Sequence, residues 1–296
     1  MLARFQPGCL AVCCCLLPMG CHAKSPLGPP DPLASKFSHP QRVTIRGYDA
    51  DAMEPFLSRD GKYLFFNNLN SPPANTDLYW AERVDDLTFQ FKGEVGGVNT
   101  RALEGVPSMD RDGNFYFVSD RSYDSTASTI YSGRFASGSL TSVALTPGVS
   151  LKKPGIVNFD AEVGADGDIL YFVESQFNRH GQPRSAKIIF ALKRGNQFVR
   201  SPESGRILRE VNSDTLVYAP ATSASGLEIF FTRLDNDGPA IYAASRANVN
   251  DPFSTPGKIE AITGFAEGPT VSPDGKALYY HRKDGDHFAI YRVRRE

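Results

Sequence analysis

Apolar and aromatic residues recur along this chain in short runs, each placed three to five residues after a turn glycine. The runs are Leu64-Phe65-Phe66, Tyr116-Phe117-Val118, Leu170-Tyr171-Phe172, Ile229-Phe230-Phe231 and Leu278-Tyr279-Tyr280. The glycines are Gly61, Gly113, Gly167, Gly226 and Gly275, separated by 52, 54, 59 and 49 residues. Immediately before them stand Asp60, Asp112, Asp166, Ser225 and Asp274, and six residues before them Pro55, Pro107, Ala161, Pro220 and Pro269. An aliphatic-aromatic pair closes each unit: Leu78-Tyr79, Ile130-Tyr131, Ile189-Phe190, Ile241-Tyr242 and Ile290-Tyr291. Proline presets φ, aspartate bonds to nearby backbone and glycine takes φ > 0, so each unit centres on a tight turn between strands.

A repeat of about 50 residues with several short strands means a propeller or a solenoid. In the first copy four strands are predicted, over 55–58, 63–67, 77–84 and 88–94. The last copy stops after its third strand, while 41–46, which alternates polar and apolar residues, lacks a partner. Letting 41–46 complete the last blade closes a ring and hides its edges. The expectation is an all-β single five-bladed β-propeller of four-stranded blades, spanning 41–296 and closed by an N-terminal strand.

The units resemble the WD40-like repeats of TolB-type β-propellers, in which a Ser-Pro-Asp-Gly turn precedes an aromatic strand and an Ile-Tyr strand. Residues 54–66 and 268–280 match well, 159–172 lacks the proline and serine, and 218–231 carries Ser225 for aspartate. The resemblance implies the fold, without the additional α/β domain of TolB. A fold of this kind does not specify a function.

Composition narrows the function. Lys plus Arg (32) nearly equals Asp plus Glu (33) with no polybasic run, which argues against nucleic acid and anionic membrane surfaces as partners. All five cysteines, Cys9, Cys13, Cys14, Cys15 and Cys21, fall in the first 21 residues. The apolar stretch 9–17 behind Arg4 reads as a signal peptide over 1–20, too short for a spanning helix. Gly20-Cys21 resembles the lipobox of bacterial lipoproteins, which implies acylation at Cys21, and His22 after it implies the outer membrane. Residues 21–40, rich in proline, read as a tether. Neither a disulfide framework nor a cysteine metal site is expected, nor any cofactor.

Candidate chemistry centres on carboxylates. Glu54, Glu104, Glu162 and Glu267, with Asp160, lie in or before the first strand of their blades, the strand that lines a propeller's channel. Paired carboxylates about 5–10 Å apart are what glycosidases use, and residues 60–66 resemble the first blade of five-bladed arabinanase-type glycosidases. The glutamates stand 7, 9, 5 and 8 residues before their turn glycines, so their faces differ, and acids also line any hydrated channel rim. Arg121, Arg233 and Arg282 recur just after the second strand, as repeat props or as a ligand-binding ring. No metal site is expected: His281 and His287 read as loop residues, and the Asp235–Asp237 and Asp284–Asp286 clusters lack a full ligand set. No G-x-S-x-G elbow is present. The expectation is an exported, lipid-anchored, monomeric scaffold in the periplasm or at the outer membrane. It would bind a protein or envelope partner through loops 67–76, 120–129 and 175–185. The alternative is a five-bladed glycan hydrolase using Glu54, Asp160, Glu162 and Glu267.

Overall fold

A computed structural model describes residues 28–70, 75–178, 183–214 and 216–296. The signal-peptide segment and Cys21 lie outside the described residues. Five small sheets form a five-bladed β-propeller. From the channel outward, blade 1 is Met53–Leu57, Tyr63–Asn67, Leu78–Arg83 and Thr88–Glu94. Blade 2 is Glu104–Met109, Asn114–Ser119, Ile130–Ala136 and Ser139–Leu145, and blade 3 is Ile156–Val163, Ile169–Phe177, Pro183–Arg194 and Gln197–Arg200. Blade 4 is Val217–Thr222, Glu228–Asp235, Gly238–Ser245 and Gly257–Lys258. Blade 5 is Ala266–Val271, Ala277–Asp284 and His287–Arg295, completed by the N-terminal strand Phe37–Arg42.

The second strand of each blade is apolar on consecutive residues because both its faces are buried. Side chains alternate across a sheet, so neighbours in one run serve opposite interfaces. Phe65 packs toward blade 2 and Phe66 toward blade 5; Phe230 packs toward blade 5 and Phe231 toward blade 3. Five apolar clusters result, one between each pair of adjacent blades. Within four blades a stacked aromatic pair links second and third strands: Phe66–Tyr79, Phe117–Tyr131, Phe231–Tyr242 and Tyr280–Tyr291, with ring centroids 5.6–6.1 Å apart. Each such pair adds about 0.5–1.5 kcal/mol beyond its buried area.

Ring closure differs from the expectation by a few residues. The closing strand is Phe37–Arg42, paired antiparallel with His287–Arg295 from Phe37↔Arg295 to Arg42↔Tyr291. The chain changes blade at Val43, whose N–H still bonds Ile290 O (2.8 Å). Thr44–Arg46 then runs parallel to Thr88–Glu94 and gives blade 1 a fifth strand. Pro40 is accommodated because this strand is outermost, where a missing N–H breaks no ladder.

The described part of the tether is therefore folded in: Pro32–Lys36 is a 3-10 turn, and Leu33, Ala34 and Phe37 are buried against blades 4 and 5. Asp31 anchors it, accepting from Leu33 N (2.8 Å), Ser245 N (2.7 Å) and Ser245 Oγ (2.6 Å). Proline content misled here because a short apolar triplet between prolines carries no periodicity.

Candidate functional site

Each innermost strand carries a bulge at the same place. Its register slips between Met53/Phe56, Gly105/Ser108, Phe159/Glu162, Tyr218/Ala221 and Glu267/Thr270. The residue seven before the turn glycine takes positive φ in every blade: Glu54 (49°), Val106 (54°), Asp160 (50°), Ala219 (48°) and Gly268 (62°). For the four non-glycine residues this left-handed backbone costs of order 1–2 kcal/mol each, so something must hold it.

Side chains from the preceding blade do so. At four of the five positions they accept the bulge N–H: Glu54 N donates to His281 Nδ1 (3.1 Å), Val106 N to Asn67 Oδ1 (3.0 Å), Ala219 N to Asp160 Oδ2 (2.8 Å) and Gly268 N to Thr232 Oγ1 (3.2 Å). Asn67, Thr232 and His281 all stand six residues after their turn glycines. Blade 3 has Val173 there, which offers no acceptor, and Asp160 takes over the bond.

A second layer of stitches lies nearer the turns. Leu57 N donates to Thr270 Oγ1 (3.3 Å), Val163 N to Ser108 Oγ (3.0 Å) and Thr222 N to Glu162 Oε1 (3.1 Å). Glu162 is thus positioned as a blade-to-blade acceptor. It also receives Arg59, whose Nη2 lies 2.8 Å from Glu162 Oε1 and which bonds the carbonyls of Val163 and Thr222. Arg59 belongs to the blade 1 turn, so its guanidinium crosses the axis to blades 3 and 4 and braces the turn-side mouth.

Of the candidate carboxylates, Glu54, Asp160 and Glu267 converge on the channel wall. Glu267 accepts from the Tyr218 hydroxyl, and its Oε2 lies 3.3 Å from His281 Nε2. Since Nδ1 of that ring accepts from Glu54 N, the proton sits on Nε2 and points at Glu267. Asn70 Nδ2 reaches Glu54 Oε1 at 3.4 Å. Gly268 makes the space: a Cβ there would lie 2.6 Å from Glu54 Oε2 and 2.9 Å from His281 Nδ1.

Exposure is 5% for Glu54, 7% for Asp160, 1% for Glu267 and 0% for His281. Burial pushes Asp160 up to about 7, against the pull of the Ala219 N–H and with a further push from the Glu267 charge. Burial lowers His281 below its ordinary value, outweighing the nearby Glu54 charge, and keeps the ring neutral. This part of the channel, lined by Glu54, Val106, Asp160, Ala219 and Gly268, holds a cavity of only about 30 Å³.

The remaining candidates lie elsewhere. Glu104 is fully buried within blade 2, bonded to Thr100 N (2.7 Å), Ser119 Oγ (2.7 Å) and Arg121 Nη2 (3.0 Å). Arg121, Arg233 and Arg282 form no ring: each lies over a third-strand tyrosine of its own blade, Tyr131 (5.0 Å), Tyr242 (3.7 Å) and Tyr291 (3.7 Å). His281 is not a loop residue but a core residue of the second strand of blade 5, whereas His287 is exposed. Arg59, Tyr218, Asn67 and Asn70 were not anticipated. Arg59 has a signal in retrospect, standing where the repeat's turn has proline. Among the described residues no group of three or more His, Cys, Asp or Glu is placed to hold a metal ion.

His281 can be tested by using what blade 1 uses. His281→Asn is expected to keep the Glu54 N–H stitched, at a cost of about 1–2 kcal/mol for the lost bond to Glu267. His281→Ala, which strands that N–H and opens a cavity, should cost about twice as much in chemical unfolding. Equal losses would mean the stitch contributes nothing.

No family model matches the chain, and no curated protein matches it. Solved structures do. A family 117 glycoside hydrolase from Zobellia galactanivorans superposes with TM-score 0.54 at 11% identity, over 88% of this chain and 90% of that one. The α-L-arabinofuranosidase from Podospora anserina gives TM-score 0.53 at 11% identity, over 88% and 96%. TolB from Acinetobacter baumannii gives 0.48 at 17% identity over 83% of this chain and 55% of that one, so this chain spans about half its length. At these identities the likeness is one of fold.

Proposed function

We propose that the protein is a binding propeller that engages a protein or cell-envelope partner on the face where the second-to-third-strand connections emerge. The observation that carries this is the closure of the channel site. Ligand pockets run to about 300–1,000 Å³, whereas the cavity between the channel acids is about 30 Å³. Two of the candidate acids, Asp160 and Glu162, already serve as acceptors for neighbouring blades. Loops 120–129, 67–76 and 175–185 would supply the contact face, although 71–74 and 179–182 lie outside the described residues. In the same reading 1–20 directs export and Cys21 carries lipid, which places the disc in the periplasm or at the outer membrane.

A second reading, glycan hydrolysis, draws on one observation: Asp160 at about 7 beside Glu267 is a carboxyl that holds its proton near neutrality, as a general acid must. One experiment separates the two. The protein and its Glu54→Gln, Asp160→Asn and Glu267→Gln variants are assayed on a panel of arabinans, xylans and other envelope and plant glycans. In parallel the protein is used as bait in an envelope extract, with and without exchange of loop 175–185. The binding reading expects no turnover and a partner lost on loop exchange. Turnover abolished by the carboxamide variants would overturn it.

A further inference from the structure

On the turn face, away from the channel, a cleft of about 350 Å³ opens between blades 3 and 4. Its volume falls within the range of small-ligand sites. Its walls are mixed: Ile169, Leu192 and Ile207 form an apolar part, serines and acids form a polar part, and Val249, one of few large apolar residues with half its surface exposed, stands at its rim. One cation lines it. Arg246 lies over the Phe253 ring at 4.3 Å, donates Nε–H to Gly226 O (2.9 Å) and donates from Nη2 to the Tyr171 hydroxyl (3.3 Å). These bonds use two of the five N–H donors of a guanidinium.

The three acids that line the cleft make no ion pair with it. Asp166 pairs with Arg111 and Glu203 with Arg206. Asp168, at the rim, is exposed. Among the described residues no carboxylate lies within ion-pair distance of Arg246.

Four turns carry aspartate before the glycine, namely Asp60, Asp112, Asp166 and Asp274, and the turn beside Arg246 carries Ser225. A Cβ at Gly226 would be 3.8 Å from Arg246 Nη2, so an acid at 225 would add a negative charge near the guanidinium. The one unit that lost its turn aspartate is the one whose cleft holds an arginine without an acid partner.

We propose that this cleft binds a small carboxylic acid with an apolar body. The ligand's carboxylate would pair with the remaining Arg246 donors, in the planar geometry that guanidinium favours, while its aryl or alkyl part covers Ile169, Leu192 and Ile207. The proposal does not depend on which channel function holds.

Titration calorimetry with benzoate, 3-phenylpropionate and hexanoate tests it, with 3-phenylpropionamide and phenethylamine as neutral and cationic counterparts. At least one acid is expected to bind saturably, with its amide about tenfold weaker or more. Arg246→Gln should remove the preference for the acid. Ser225→Asp restores the turn residue of the other units, so it should fold and melt like the parent while losing acid binding at least tenfold. Failure of all three acids to bind at millimolar concentration overturns the proposal. So does equal binding of acid and amide, preference for the amine, or acid binding unaffected by Ser225→Asp in a variant that melts normally.

Discussion

Replacing Arg59 by alanine is expected to destabilise the propeller by about 3–5 kcal/mol, the usual loss when one partner of a buried ion pair is removed. Both side chains are nearly closed off, 7% exposed for Arg59 and 6% for Glu162. Glu162 would keep its bonds from Ser108 Oγ and Thr222 N (2.9 and 3.1 Å), yet its charge would lose its counterion. The guanidinium also leaves behind the carbonyls of Val163 and Thr222 and the face of Phe56. For a domain of this size the melting temperature should fall by roughly 10 °C. The double change Arg59→Met with Glu162→Gln removes both charges and should recover most of the loss. Urea unfolding of the three proteins measures it. A loss below about 1 kcal/mol for Arg59→Ala would mean that water already screens the pair.

Asp160→Asn is expected to stabilise the protein at neutral pH. The carboxyl has an ordinary value of 3.8 and is raised to about 7 in the fold. Below pH 4 both folded and unfolded chains hold the proton. Between about 4 and 7 the unfolded chain releases it while the folded chain keeps it, so stability falls as pH rises through that window. The full difference is on the order of 4 kcal/mol. Asparagine keeps an oxygen for the Ala219 N–H and has no charge to bury.

His281 acts in the opposite sense. Its folded value lies below 6.5, so its contribution is complete above that pH and is lost on acidification. With Asp160 replaced, the falling limb between pH 4 and 7 should disappear and the histidine's acid-side loss should stand out. Melting curves at half-unit pH steps from 4 to 8 decide it. Superimposable profiles for parent and variant would show that Asp160 ionises normally in the channel.

How much of this was readable beforehand differs by level. The five turn glycines and the aromatic runs after them gave the blade count, because each blade must bury both faces of its second strand and a continuous apolar run records that. The bulge position was also in the sequence, as the proline after Glu54, Val106, Ala219 and Gly268, but its meaning was not. Proline says where an N–H is missing, whereas the left-handed residue before it depends on the acceptor across the interface. His281 reads as a loop residue when taken singly; aligned with Asn67 and Thr232, it stands at the stitching position.

The candidate acids could not be sorted from the sequence. Glu54, Asp160, Glu162 and Glu267 all lie on inner strands, 7, 7, 5 and 8 residues before their turn glycines, and the fold sends the first, second and fourth to the channel wall and Glu162 to the blade interface. A side chain changes face with every residue along a strand, and a bulge changes it again. Local pattern therefore determined the repeat and the ring. Only the tertiary structure decided which acids meet, that Arg59 spans the axis, and that the acids lining the cleft make no ion pair with Arg246. Those are contacts between residues far apart in the chain, and their energies depend on burial and charge that exist only once the ring has closed.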